Sequence, residues 1–186
     1  HYSVPFTIKP VYPIAVRIPG FFKTVNPLWP PYLIKDCFRI SQYLGVPFGP
    51  PKPDPIVMDF ATGEVDSNQP YIHRLTRIGV LASKTDKSMA FFDEVSKLIW
   101  SGEVEWPEGD HLANAVARAG LDLAQLDARA EAEVDSIEAE IAQNEADQKA
   151  AGHWGVPLMV YNDEPFFGQD RLDLLAWRLD QAGVGR

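Results

Sequence analysis

Between Gly152 and Gln181 the apolar pattern of this chain changes period from about 3.6 to 2 and back, and that change limits what the whole can fold into. Leu158-Met159-Val160-Tyr161 reads as a strand behind the turn Gly155-Val156-Pro157. Asn162-Asp163-Glu164 is turn-forming, and Pro165-Phe166-Phe167 pairs back across it. From Asp170 to Gln181, Leu172, Leu175, Ala176 and Leu179 recur at helical spacing, and Gly183 ends the run. A hairpin followed by one helix is marginal in water by itself, so it has to close a larger mixed structure.

The rest of the chain supplies mostly helices. Val4 to Val11 reads as a strand, with Phe6 and Ile8 alternating with Thr7 and Lys9. A stiff loop follows through Pro13, Pro19, Gly20, Pro27, Pro30 and Pro31. An amphipathic helix is predicted from Pro31 to Leu44, its apolar side carrying Leu33, Ile34, Cys37 and Phe38, and Gly45 stops it. Pro47 to Pro55 is loop again. In the middle, Asn68 is a natural N-cap before Pro70, with Ile72, Leu75, Ile78 and Leu81 on one helical face. Thr85–Trp100 is the next helix, Asp110 caps a short one ending at Gly120, and Asp122 starts another that runs through the acidic stretch Glu131–Glu140 toward Gly152. The acidic stretch reads as a solvated helix face.

Composition narrows the function classes. Against 17 basic residues stand 26 acidic ones, a net charge of −9, which argues against nucleic acid or an anionic membrane surface as the main partner. The single cysteine, Cys37, cannot form an internal disulfide, a CxxC pair or a cysteine-rich zinc site, and its helical setting reads as a buried structural thiol. The histidines have no ligand spacing, so no metal is expected. No apolar run approaches the ~20 residues that span a bilayer, and the chain reads as cytoplasmic. Phosphate-loop, dinucleotide and nucleophile-elbow motifs are absent from the sequence.

Three places carry chemistry. At Val156-Pro157 a proline opens a strand behind a glycine, where its missing N–H costs nothing; the alternative is a plain turn. At Gly168-Gln169-Asp170-Arg171 a helix N-terminus offers free N–H groups to a carboxylate, and Asp170 can accept an ammonium. There the alternative is capping by Asp170 with Arg171 as a surface charge. At Asn26-Pro27 the asparagine faces a proline-rich loop, or caps a turn. His153-Trp154 stands next to the first of these places, and Arg17, Lys23, Trp29 and Trp100 have no assigned role.

Taken together, Gly155-Val156-Pro157, the hairpin, Gly168-Gln169-Asp170-Arg171, the loop with Asn26, Tyr32 and Asp36, and Gly45-Val46-Pro47-Phe48 resemble the 2-hydroxychromene-2-carboxylate isomerases and kappa-class glutathione transferases. The resemblance implies an α/β chain with a DsbA-like thioredoxin fold, in which residues 1–50 and 152–186 form the thioredoxin-like domain and 51–151 an inserted all-helical subdomain. It further implies a cis Val156–Pro157 bond and glutathione as cofactor, its cysteinyl unit on Val156 and Pro157, its γ-glutamyl end on Gln169 and Asp170, and Asn26 as a loop contact. The implied activity is isomerisation of a small aromatic substrate in aromatic catabolism, by a homodimer, through reversible addition of the glutathione thiolate. Other activities open to the same resemblance are thiol–disulfide exchange, glutathione transfer and non-catalytic binding. The family's first strand and helix, which carry the thiol-activating serine, have no counterpart, so a further ~30 to 40 residues are expected, the size of one strand and crossover helix. The lysine that the family often carries between loop and helix is also missing: the matching place is near Trp29.

Overall fold

The computed structural model describes residue 2 and residues 4–184. Two short helices, α1 (Ile14–Arg17) and α2 (Phe21–Thr24), lead into the long α3 (Trp29–Leu44), which Gly45 ends in the left-handed conformation at φ 66°. A small ribbon of β1 (Met58–Asp59) and β2 (Glu64–Val65) precedes five helices: α4 (Ile72–Ser83), α5 (Ser88–Trp100), α6 (His111–Arg118), α7 (Leu123–Ala132) and α8 (Val134–Ala150). The chain closes with β3 (Leu158–Tyr161), β4 (Glu164–Phe167), a 3-10 turn at Gln169–Arg171 and α9 (Leu172–Gln181).

The core lies among α4–α8. Ile78, Val80, Leu81, Val116 and Ile137 are completely buried, and Phe91, Trp106 and Ile141 nearly so. Successive helices pack on one another, α4 on α5 and α5 on α6, and α4 also packs across the bundle on α7 and α8. Tyr12 enters this core from outside the bundle. The loop before β1 is bound to the same block, because Trp106 donates its backbone N–H to Lys52 and its indole N–H to the Pro53 carbonyl, at 3.0 and 2.8 Å.

Several sequence expectations are corrected. Val4–Val11 is no strand. Its prolines remove ladder donors, and side chains of α8 take its polar groups instead: Asn144 donates to the Pro10 carbonyl (3.0 Å), and Lys9 pairs with Asp147 (2.6 Å). Asn68 does not cap α4; its N–H bonds Asp66 and the helix begins four residues later. Asp110 precedes α6 without a side-chain cap, whereas Asp122 does cap α7 by accepting the Gln125 N–H at 2.9 Å. The acidic stretch is two helices, broken at Glu133, whose ψ of 19° leaves the helical range while its carboxylate holds Arg129. Cys37 is half-buried.

The stretch that leads to the site is anchored by charge. Tyr12 Oη donates to Glu138 at 2.7 Å, and Arg77 Nε donates to the same oxygen at 2.7 Å. Desolvation pushes the Glu138 carboxyl up, but these two donors outweigh it and hold the group below its ordinary value. Burial, reinforced by the facing carboxylate, pushes the Tyr12 phenol up. A depressed carboxylate stabilises the fold above its unfolded pKa and loses that contribution as pH falls through its folded pKa. Thermal midpoints measured from pH 7 down to pH 3 are therefore expected to separate parent and Glu138→Gln most at neutral pH and to converge in acid. Parallel curves would exclude the linkage.

The C-terminal hairpin pairs Leu158 with Phe167 and Tyr161 with Glu164 in antiparallel register. Its two turn residues, Asn162 and Asp163, both take positive φ (47° and 63°), as a tight two-residue hairpin demands. Phe166 and Leu179 are buried beneath it, and Arg178 clamps Glu164 through two bonds of 2.6 and 2.8 Å. Val156, just before the hairpin, is 54% exposed, and Tyr43 on α3 is 88% exposed. Thus α3 is amphipathic as its sequence reads, but its Tyr32, Leu33 and Ile34 are exposed.

Candidate functional site

Local chemistry fixes the turn before β3. Gly155 is buried; a Cβ there would overlap the Phe167 ring, so no other residue fits without moving it. The Gly155 carbonyl accepts a 2.7 Å bond from Gln148 Nε2 at the end of α8, and its N–H donates to His153 Nδ1 at 2.8 Å. Arg17, at the end of α1, donates to the Tyr12 carbonyl, to Gln148 Oε1 (2.7 Å) and to the Trp154 carbonyl (3.0 Å). Burial pushes the Arg17 guanidinium below its ordinary value, opposed by the charge of Glu145, and it remains a cation.

Beyond this anchored stretch lies a free one. The Val156–Pro157 bond is cis. Among the described residues, the N–H and C=O of Val156 have no hydrogen-bond partner. The Pro157 carbonyl accepts from Gly168 N–H at 2.9 Å, which brings the helix start beside the turn. Gly168 has φ 97°, and a Cβ there would meet Asp170 Oδ1 at 2.5 Å, so glycine lets this carboxylate fold back over the turn. The N–H groups of Gln169 and Asp170 are likewise unpartnered among the described residues. Asp170 makes no side-chain cap; it pairs with Arg171 at 2.6 Å and remains exposed.

The structure therefore brings Val156, Pro157, Gln169 and Asp170 onto one edge. Asn26 serves a turn, accepting the Leu28 N–H at 3.0 Å ahead of α3. It is linked to that edge by a row of rings: Trp29 to Phe21 (6.4 Å), Phe21 to Trp154 (5.8 Å), Trp154 to His153 (5.4 Å) and His153 to Phe167 (3.9 Å). Tyr32 is exposed and Asp36 pairs with Arg39. His153 is neither a helix cap nor a plain surface group: it holds the Gly155 N–H and stacks on Phe167.

Sequence reasoning named Arg17 without a role and missed Gln148 altogether. A signal was present: Ile137, Ile141, Asn144 and Gln148 are spaced by four, three and four residues, one buried stripe of α8 whose last two members are polar. Polar groups that continue a core stripe need buried partners. Here those partners are the Pro10 carbonyl for Asn144, and Gly155 and Arg17 for Gln148.

Comparison with known proteins agrees with this architecture. The DSBA-like thioredoxin domain family matches residues 17–180. A solved structure of 2-hydroxychromene-2-carboxylate isomerase (HCCA isomerase) superposes with a TM-score of 0.58 at 19% identity, over 92% of this chain and 81% of that one. That likeness is one of fold: a DsbA-like thioredoxin arrangement with helices inserted ahead of the closing hairpin. No curated protein matches the chain at a significant level. No helix among the described residues is long and apolar enough to cross a membrane.

Proposed function

The chain belongs to the DSBA-like thioredoxin domain family, and from that premise we propose that it is a glutathione-dependent isomerase of the 2-hydroxychromene-2-carboxylate isomerase type. One observation carries the reading: the backbone groups of Val156, unpaired among the described residues, stand beside a helix start whose Gln169 and Asp170 N–H groups are likewise unpaired among them. Exposed backbone donors and acceptors at a strand end suit an extended peptide, which adds as a short strand. Free N–H groups at a helix start suit a carboxylate.

Val156 holds the cysteinyl unit through its N–H and C=O. Gln169 and Asp170 take the γ-glutamyl carboxylate on their N–H groups, and the Asp170 carboxylate receives the neighbouring ammonium in place of part of its bond to Arg171. Phe21, Trp29 and Trp154 line the adjoining face with aromatic surface for a small aromatic substrate. When bound, glutathione supplies a thiolate that adds to a conjugated carbon and leaves again after rotation about the bond, so it is regenerated each turn.

Titration of labelled protein with reduced glutathione, followed by amide resonances, tests the reading. Shifts are expected to concentrate at Val156, Gln169 and Asp170, and Asp170→Asn is expected to weaken binding about tenfold, the worth of one charge-assisted hydrogen bond. Absorbance of a hydroxychromene carboxylate should then change only when glutathione is present. An absence of shifts refutes the proposal, and formation of glutathione disulfide when a disulfide substrate is added and reduced in its place would identify thiol–disulfide exchange instead.

A further inference from the structure

We infer that Gln148 and Arg17 are positioning residues for the Val156 turn: the last turn of α8 and the end of α1 set the direction of the backbone groups offered to the ligand. The inference rests on Val156 as the residue that pairs with a peptide-like ligand. Its argument is the planarity of the peptide unit. The Gly155 carbonyl and the Val156 N–H belong to one trans peptide, so they point in opposite directions. Gln148 Nε2 donates to that carbonyl at 2.7 Å and so turns it toward α8. The Val156 N–H must then point away from α8, into the free edge.

The preceding peptide is fixed in the same way. Arg17 Nη2 holds the Trp154 carbonyl at 3.0 Å, and the opposite end of that plane, the Gly155 N–H, is held by His153 Nδ1 at 2.8 Å. Gln148 has no freedom to exchange the ends of its amide. Arginine is a donor only, so the amide oxygen must face Arg17 Nη1, and the amide nitrogen is left for Gly155. With 9% of its surface exposed, Gln148 has little water to substitute for either partner. Two consecutive peptide planes are thus oriented, one by α8 and the other by α1 and His153, while the Val156 backbone groups have no partner among the described residues.

Gln148→Glu separates positioning from packing. It keeps the shape and the Arg17 partner, removes the donor, and sets a carboxylate oxygen against the Gly155 carbonyl. Gln148→Met is the uncharged second variant, and Gln143→Ala, on an exposed neighbour of the same helix that bonds Asp147, is the control. Amide resonances of the free proteins and glutathione titrations are the readouts. A displaced Val156 resonance together with about a tenfold loss of affinity, or about 1.4 kcal/mol, in both Gln148 variants but not in Gln143→Ala supports the inference. A parent and variants that bind glutathione equally overturn it and leave the proposed function standing. Should the parent not bind glutathione, the proposed function falls, and the Val156 resonance decides alone: displaced in both variants, the positioning role holds; unmoved, it fails.

Discussion

Gly155→Ala is expected to abolish glutathione binding and to lower the thermal midpoint. The new Cβ would overlap the edge of the Phe167 ring and lie 3.0 Å from His153 Cε1. Phe167 is partly exposed and can swing outward, but doing so breaks its stack on His153, the residue that holds the Gly155 N–H. If the rings stay, the backbone must shift, and the bond from Gln148 to the Gly155 carbonyl lengthens. Overpacking of this kind costs about 1–3 kcal/mol. The gain from a stiffer unfolded chain, about 0.4–1 kcal/mol, does not offset it. Thermal melts and a glutathione titration of parent and variant check this result. Unchanged affinity in a folded variant would mean that the turn does not set the ligand geometry.

The second large effect is on stability. Trp106→Ala is expected to cost about 3–5 kcal/mol, the range for removing a large aromatic side chain from a core. Trp106 is 1% exposed, meets the Tyr71 ring edge-on at 5.4 Å, and donates its indole N–H to the Pro53 carbonyl. Set against a typical domain stability of about 5–15 kcal/mol, the loss is a third or more in many cases. Trp106→Phe retains most of the apolar contact and isolates the hydrogen bond, worth about 1 kcal/mol. Urea unfolding of the three proteins measures both steps. A cost below that of Trp106→Phe in the alanine variant would place the core elsewhere.

The parts legible in the sequence are those whose signals are local. Leu158–Tyr161 emerges with the bounds its pattern gives, because the Asn162-Asp163 turn and the strand that returns through Phe167 act within ten residues of it. Gly45 and Asp122 end and start helices through their own backbone and side chain, and the structure bears out both. The illegible parts depend on distant partners. Val4–Val11 alternates like a strand, but its polar groups are taken by Lys9–Asp147, Pro10–Asn144 and similar contacts spanning more than 130 residues. The acidic stretch read as solvated face supplies Glu138 and Glu140 to Arg77 and Lys84 of α4 and its end. In the candidate site, the glycines, Pro157, Gln169 and Asp170 stand out because of the turn they share, whereas the residues that orient that turn lie on two other elements.

The uneven distribution of buried surface has a kinetic consequence. The helices α4–α8 hold nearly all of the core, whereas the hairpin and α9 bury Phe166 and Leu179 and little else. Regions with few buried contacts open at lower free energy than the global transition. The hairpin therefore forms a cooperative unit of its own, able to fray and reclose while the bundle stays intact. A ligand seated at Val156 competes first against that local opening, so part of its binding energy appears as slower fraying of the hairpin rather than as slower unfolding of the molecule.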